Sequence, residues 1–296
     1  MKKIRLGTRG SKLALIQTDI VIRAIAAHHP DLEKAIEIVP IKTTGDVIVD
    51  RSLTDLGGKS LFTKEIELAL TNHDIDIAVH SMKDVTADFQ PGLIFPALLE
   101  REDPRDALIT KDGKKFEDFP PGSLFGTSSL RRQAFVRNKY PHFRVENLRG
   151  NVPTRFQKIM EGEYDATLLA AAGLKRLGML ELATQVLSID EFIPAVAQGA
   201  LGIQCREEDG FVTNLLKPLN HLTTYQTVTA ERAFLRALNG SCRTPIAGYA
   251  HIEEETLQFK GMVSESDGQN MKFVTLSGSP LEAEKIGLEA ANQIRG

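Results

Sequence analysis

Apolar positions along the first two thirds of the chain fall into two alternating rhythms. Lys3–Thr8 reads as a strand, and Ser11–His28 carries Leu13, Ile16, Ile20, Ala24 and Ala27 on one face of a predicted helix that stops before Pro30. Ala35–Lys42 and Ile75–His80 predict two further strands. Between them, Thr43–Ser60 is long, contains glycine and has little periodicity, the pattern of a functional flap or of a disordered loop.

A second set of elements follows the Pro/Asp-rich junction Arg101–Asp106. Strands are predicted at Ala107–Thr110, Leu124–Gly126, Phe143–Leu148 and Ala166–Ala170, with helices over Ser129–Lys139 and Thr154–Met160. Alternation of this kind predicts α/β sheets with crossover connections. The last third changes character. A helix over Thr224–Leu238 ends at Asn239-Gly240, and two strands and a final helix, Leu281–Ile294, predict a small α+β domain.

Length and composition narrow this picture. The 296 residues suggest two or three domains. At 42% hydrophobic and 25% charged, the chain has the apolar content for separate cores, which argues against disorder or coiled coil. A net charge of −3 argues against a protein that coats nucleic acid through bulk charge. Two cysteines, Cys205 and Cys242, are too few for a disulfide framework, and no CxxC pair suggests a metal site. No signal-peptide pattern opens the chain, and no stretch approaches the roughly 20 apolar residues that span a bilayer. The expectation is a cytoplasmic protein with no membrane, metal or nucleic-acid partner.

Candidate chemistry comes from local departures from these averages. The segment Thr127–Arg155 carries Arg131, Arg132, Arg137, Lys139, Arg144, Arg149 and Arg155 against Glu146 alone, a net charge of +6 in an acidic chain. Arg131 and Arg132 follow the strand-to-helix turn Thr127-Ser128-Ser129, and Arg149 and Arg155 bracket the next such turn at Gly150-Asn151. Turns at this edge of an open α/β sheet form its ligand crevice, and arginine forks grip carboxylates or phosphates there. A solvated basic face is the alternative. Neither turn has the glycine spacing of a nucleotide loop.

Two shorter signals accompany this one. His80-Ser81-Met82-Lys83-Asp84 follows an apolar strand, where an acid beside a lysine fits a catalytic position or a plain surface ion pair. His80 itself reads as a core histidine. Cys242 sits in the glycine-bearing loop Asn239–Pro245 beside Arg243, where burial is slight, whereas Cys205 ends an apolar run and reads as an inert buried thiol.

Taken together, the motifs resemble the porphobilinogen deaminase family over nearly the whole chain. They run in order through Thr8–Ser11 (TRGS), Gly57–Phe62 (GGKSLF), Asp76–Asp84 (DIAVHSMKD), Glu100–Ala107 (EREDPRDA), Gly126–Arg132 (GTSSLRR), Leu148–Arg155 (LRGNVPTR), Ala170–Gly178 (AAAGLKRLG) and Pro194–Ala200 (PAVAQGA), and end at Cys242. The resemblance implies two α/β domains like those of periplasmic anion-binding proteins, joined by a hinge, and a third small α+β domain. The implied division is 1–98 with 195–217, then 99–194, then 218–296, the last carrying the cysteine.

It also implies a monomeric transferase of tetrapyrrole (heme) biosynthesis. Four porphobilinogen molecules are joined head to tail, with loss of ammonia, on a dipyrromethane held by a thioether at Cys242, and hydroxymethylbilane is released. Asp84 matches the catalytic aspartate, and Ser81, Lys83, Thr127, Ser129, Arg131 and Arg132 match cofactor-binding positions together with Asp84 and Cys242. Arg9, Ser11, Arg149, Arg155 and Arg176 match substrate-binding positions, and Lys59 and Phe62 match a flap over the site. Each porphobilinogen ring bears an acetate and a propionate, so the growing chain is a polyanion, which agrees with the local arginine excess. A fixed carboxylate stabilises the cationic pyrrole formed when ammonia leaves. Five positions depart from the usual pattern: Asp55, Ser60, Thr86, Pro153 and Ala197. A non-enzymatic, two-lobed small-anion-binding protein is the alternative, since fold alone does not fix function.

Overall fold

The computed structural model describes residues 3–47, 62–241 and 244–296. The chain opens with β1 (Ile4–Arg9), α1 (Lys12–His28), β2 (Ile36–Ile41), α2 (Thr44–Val47), α3 (Lys64–Thr71), β3 (Ile77–Ser81) and β4 (Leu93–Leu98). It continues through β5 (Asp106–Thr110), β6 (Leu124–Gly126), α4 (Leu130–Lys139), β7 (Arg144–Glu146), α5 (Val152–Met160), β8 (Ala166–Ala170), α6 (Ala171–Arg176) and β9 (Gln185–Val186). There follow β10 (Leu201–Arg206), α7 (Gly210–Leu216), α8 (Leu222–Ala237), β11 (Ile246–Glu253), β12 (Thr256–Val263), β13 (Lys272–Gly278) and α9 (Ala283–Arg295). Among the described residues, two compact units emerge: the chain up to Glu102 with Ala200–Tyr225, and Asp103–Gly199 with Gln226–Gly296.

The first unit is built on a five-stranded sheet in the order β2-β1-β3-β10-β4. β1 runs parallel to β2 and β3, while β10 is antiparallel to β3 and β4. Both edge strands contain a proline, Pro40 in β2 and Pro96 in β4, which is tolerated where a strand lacks an outer neighbour. Leu6, Val21, Ile25, Ile77, Val79 and Ile203 lie at the centre of its core. Cys205 is fully buried there, and burial raises its thiol pKa, in keeping with an inert role.

The sheet of the second unit has the order β7-β6-β8-β5-β9, with β6 parallel to β7 and β8, and β5 antiparallel to β8 and β9. One face packs on an aromatic cluster in which Phe116 stacks on Tyr140 and Phe192. The last three strands make an antiparallel sheet, β11-β12-β13, where sequence periodicity predicted two strands. The third, β13, alternates in burial along its length, but the exposed Phe273 beside Val274 blurs the apolar period in its sequence. α8 and α9 pack so closely that a Cβ on Gly287 would stand 2.1 Å from the Ala230 carbonyl oxygen. No helix among the described residues is long and apolar enough to cross a membrane.

The parallel strands decide where chemistry collects. β1 and β3 deliver Arg9–Ser11 and Ser81–Asp84 at the same edge of the first sheet. In the second unit, β6 and β7 likewise deliver Thr127–Arg132 and Arg149 at one edge. These are the carboxyl ends of strands, where open α/β sheets bind ligands.

Candidate active site

In the first unit a pocket is lined by Arg9, Ser11, Gln17, Phe62, His80, Ser81, Lys83 and Asp84, among others. Asp84 ends a single 3₁₀ turn, Met82–Asp84, that follows β3 directly, so the sheet fixes the backbone that carries it. Ser11 caps α1 by accepting from the Ala14 N–H, and Gln17 on that helix donates to the Ser81 hydroxyl at 2.9 Å. The Arg9 guanidinium lies 4.5 Å from the Phe62 ring centre and makes a two-nitrogen ion pair with Asp46. Burial disfavours charge on Arg9, but the Asp46 hydrogen bonds and the charges of Asp84 and Asp46 outweigh it and raise its pKa. Asp46 in turn accepts from the Thr43 hydroxyl at 2.7 Å and is held below the usual carboxylate range despite partial burial.

Behind the pocket runs a buried polar layer. His80 is 5% exposed and meets Phe95 edge-on. Burial lowers its pKa to about 4, and Gln204 only partly opposes this, lying close without a hydrogen bond of regular geometry to Nε2. Gln204 donates to Glu67, whose carboxyl burial pushes upward. The core-histidine reading of His80 therefore holds for its burial, though the ring is not fully satisfied.

In the second unit, Ser129 caps α4 and Asn151 caps α5. Thr127 is buried, and its hydroxyl accepts from the Ser129 N–H at 3.2 Å. Arg131 and Arg132 are not part of a solvated basic face, the alternative reading of this segment. Both are nearly buried, and each donates one terminal nitrogen to Asp106 at 2.7 Å. Burial alone would raise the Asp106 pKa, but the two guanidinium charges and hydrogen bonds from Arg132 and Gln198 hold it far below the usual range. The Nε atoms of both arginines are buried without a hydrogen-bond partner. Arg155 donates to the Gly150 carbonyl at 2.8 Å, in a turn where Gly150 takes φ +118°, and Arg176 donates to the Gly199 carbonyl at 2.8 Å. Arg149 is half-buried.

Lys59 and Cys242 lie outside the described residues, as do Asp55, Ser60 and most of the flap expected over Thr43–Ser60. The flanks of Cys242 are described: Ser241 N–H donates to the Thr244 hydroxyl at 2.8 Å, and that hydroxyl donates to the Ser241 carbonyl at 2.7 Å. Among the described residues no group of His, Cys, Asp or Glu is placed to hold a metal ion. Sequence reasoning passed over Asp46, Asp106, Gln17 and Gln198. Asp106 and Gln198 fall inside the family motifs, but no role could be read for any of the four, because each has a deciding partner distant in the chain.

Residues 4–214 match the family model described as Porphobilinogen deaminase, dipyromethane cofactor binding domain, and residues 225–296 match Porphobilinogen deaminase, C-terminal domain. The chain belongs to the porphobilinogen deaminase family. It is 47% identical to a porphobilinogen deaminase from Syntrophotalea carbinolica, over 98% of this chain and 92% of that one. It is 50% identical to a chloroplastic porphobilinogen deaminase from Pisum sativum, over 98% of this chain and 80% of that one. Among solved structures it is similar to the second substrate binding domain of a putative amino acid ABC transporter from Streptococcus pneumoniae, with 15% identity and a TM-score of 0.47, covering 80% and 95% of the two chains. Membership of the porphobilinogen deaminase family favours the enzymatic reading over the anion-binding alternative.

Within the family frame, the departures have separate physical consequences. Pro153 falls in the first turn of α5, where its missing N–H costs nothing. The Thr86 hydroxyl donates to the Asp88 carbonyl at 2.6 Å. Ala197 is the strained one, with φ +59°, its N–H held by buried Glu231 at 2.6 Å. A side chain in the left-handed region costs roughly 1–2 kcal/mol, and an unfolded glycine takes back about 0.4–1 kcal/mol in chain entropy. Ala197→Gly is therefore expected to raise the melting temperature by roughly 2 °C, measured by thermal denaturation. An unchanged or lowered value would show that Glu231 already relieves the strain.

Proposed function

We propose that the chain works as a hydroxymethylbilane synthase. It joins four porphobilinogen molecules head to tail, loses ammonia at each addition, and releases hydroxymethylbilane by hydrolysis. The carrying observation is the pocket in which the Asp84 carboxylate shares one lining with the cations Arg9 and Lys83. Porphobilinogen brings two carboxylates, a pyrrole N–H and an aminomethyl group. Arg9 and Lys83 suit its acidic groups, Ser11 and Ser81 offer hydroxyls, and Asp84 suits the N–H. As ammonia leaves, the substrate becomes cationic. A carboxylate fixed at the end of β3 stabilises that charge and takes up the pyrrole proton without having to reorganise. Phe62, stacked on Arg9, keeps that guanidinium in place. Arg149, Arg155 and Arg176 supply further positive charge for a lengthening polyanion.

The family's dipyrromethane, when bound, supplies the primer to which pyrrole units are added. The residues present fit it: Arg131 and Arg132 hold unpartnered, buried N–H donors suited to its acidic groups. Thr127, Ser129, Ser81 and Lys83 would add donors, Asp84 would face its pyrrole N–H groups, and Cys242 would anchor it through a thioether. Lys59 belongs to the same reading, as part of a flap with Phe62. The three separate sheets support a division into domains 1–98 with 195–217, 99–194 and 218–296. We take the protein to be cytoplasmic, which its low cysteine content supports, and monomeric, which the family resemblance implies; cell fractionation and size-exclusion chromatography test the two.

Intact mass of the purified chain tests the central reading. A mass above that of the bare polypeptide, mapped by peptide analysis to position 242 and increasing on incubation with porphobilinogen, is the expected result. A bare mass that porphobilinogen leaves unchanged would falsify it.

A further inference from the structure

The charges around Asp106 do not balance. Two guanidinium groups, those of Arg131 and Arg132, meet one carboxylate, and all three side chains are more than nine-tenths buried. Arginine stays protonated in proteins, so titration does not remove the surplus of +1. Each guanidinium is held at two points. Arg131 donates to Asp106 and to the Ile193 carbonyl at 2.8 Å, and Arg132 donates to Asp106 and to the Leu168 carbonyl at 2.8 Å. Both Nε N–H groups remain without an acceptor. Buried unpaired donors beside surplus positive charge suit the oxygens of an anion.

Asp106 is itself rigidly placed. Its backbone pairs with Ala170 of β8, and its Oδ1 accepts from Gln198 Nε2 at 2.9 Å. Gln198 also donates to the Pro104 carbonyl at 2.7 Å, which ties the carboxylate to the segment that leads into β5. The carboxylate therefore has little freedom to turn. It stands as a fixed template from which both arginine forks are hung.

We propose that Asp106 is the positioning residue of this arginine pair. It sets where the two forks stand and reduces their combined charge from +2 to +1, so that the pair accepts a carboxylate of the pyrrole primer. This rests on the function proposed above. Without the carboxylate, two like charges held side by side would repel and lose their common anchor. A glutamate keeps the charge but moves the carboxylate by about 1.5 Å, one carbon–carbon bond. Displacements of that size in a positioned site reduce ligand capture steeply.

The experiment uses the full-length parent, Asp106→Glu and Asp106→Asn. Each is melted thermally, and its intact mass is recorded before and after incubation with porphobilinogen. The expected result is an Asp106→Glu protein that melts close to the parent but carries the adduct in about tenfold lower fraction. Asp106→Asn, with +2 buried, is expected to melt much lower. A merely structural role would lower the melting temperature and leave the folded fraction fully loaded. Parental loading in folded Asp106→Glu overturns the proposal. Failure of both variants to fold also overturns it, because Asp106 would then act as a stabilising ion pair alone. A parent that never gains mass instead defeats the functional reading on which the proposal stands.

Discussion

Exchanging Asp84 for asparagine is expected to lower kcat by about 10²–10⁴-fold while leaving the fold intact. At 1.36 kcal/mol for each tenfold, this corresponds to about 3–5 kcal/mol of lost transition-state stabilisation. The amide has nearly the same shape and can still accept a pyrrole N–H, so ground-state binding and KM should change little. What disappears is the negative charge that meets the developing substrate cation. Asp84 is only half-buried and sits on a 3₁₀ turn held by the backbone, so the melting temperature should stay near the parent's. Steady-state kinetics beside a thermal melt check both halves. Turnover at the parental rate would move the role to another group.

Mild acid provides the second large effect. Between pH 7 and pH 5 the fold is expected to lose about 2 kcal/mol through His80 alone. The folded-state pKa of about 4 lies below the ordinary value of 6.5, because burial disfavours the charged ring. As pH falls, the unfolded chain takes up this proton first. The loss therefore begins near pH 6.5 and levels off near pH 4. Glu67 acts in the opposite sense. Its raised pKa means that ionisation opposes folding, so acidification relieves part of the strain there. Asp106, Asp76, Asp46 and Asp103 are held below the usual range, so their contributions are lost only below about pH 4. Thermal melts at pH 7 and pH 5 on the parent and on His80→Gln separate these effects. An equal loss in both proteins would remove His80 as the cause.

Much of this architecture is legible in the sequence, and the gaps have physical reasons. The helix read over Ser11–His28 appears as Lys12–His28, with Ser11 as its cap, because apolar period and capping agree there. β4 escaped notice because Pro96 interrupts an otherwise apolar strand, and only its place at the sheet edge makes that proline acceptable. β10 reads as an undivided apolar run because both its neighbours bury it. The arginine-bearing turns were visible as a local charge excess. Their commitment to Asp106 was not, since that carboxylate lies 25 and 26 positions away and declares itself only through packing. Family motifs single out Asp84 as the match to the catalytic aspartate, and the fold puts it in a pocket lining. Spacing gave no hint of Asp46, which the fold brings to Arg9 across 37 positions.

The place of β10 in the first sheet bears on how the chain is made. β10 stands between β3 and β4, yet the entire sheet of the second unit is synthesised before it. At roughly 5–20 residues per second, β4 leaves the ribosome about 5–20 s before β10, its hydrogen-bonding partner. During that interval β3 and β4 each present the edge that β10 later covers. The five-stranded sheet β7-β6-β8-β5-β9 is free to form before the sheet of the first unit is complete, although it begins later in the chain. Slow translation across 100–200 would lengthen this exposure, so yield of soluble protein should respond to chaperone supply more than to the strength of either finished core.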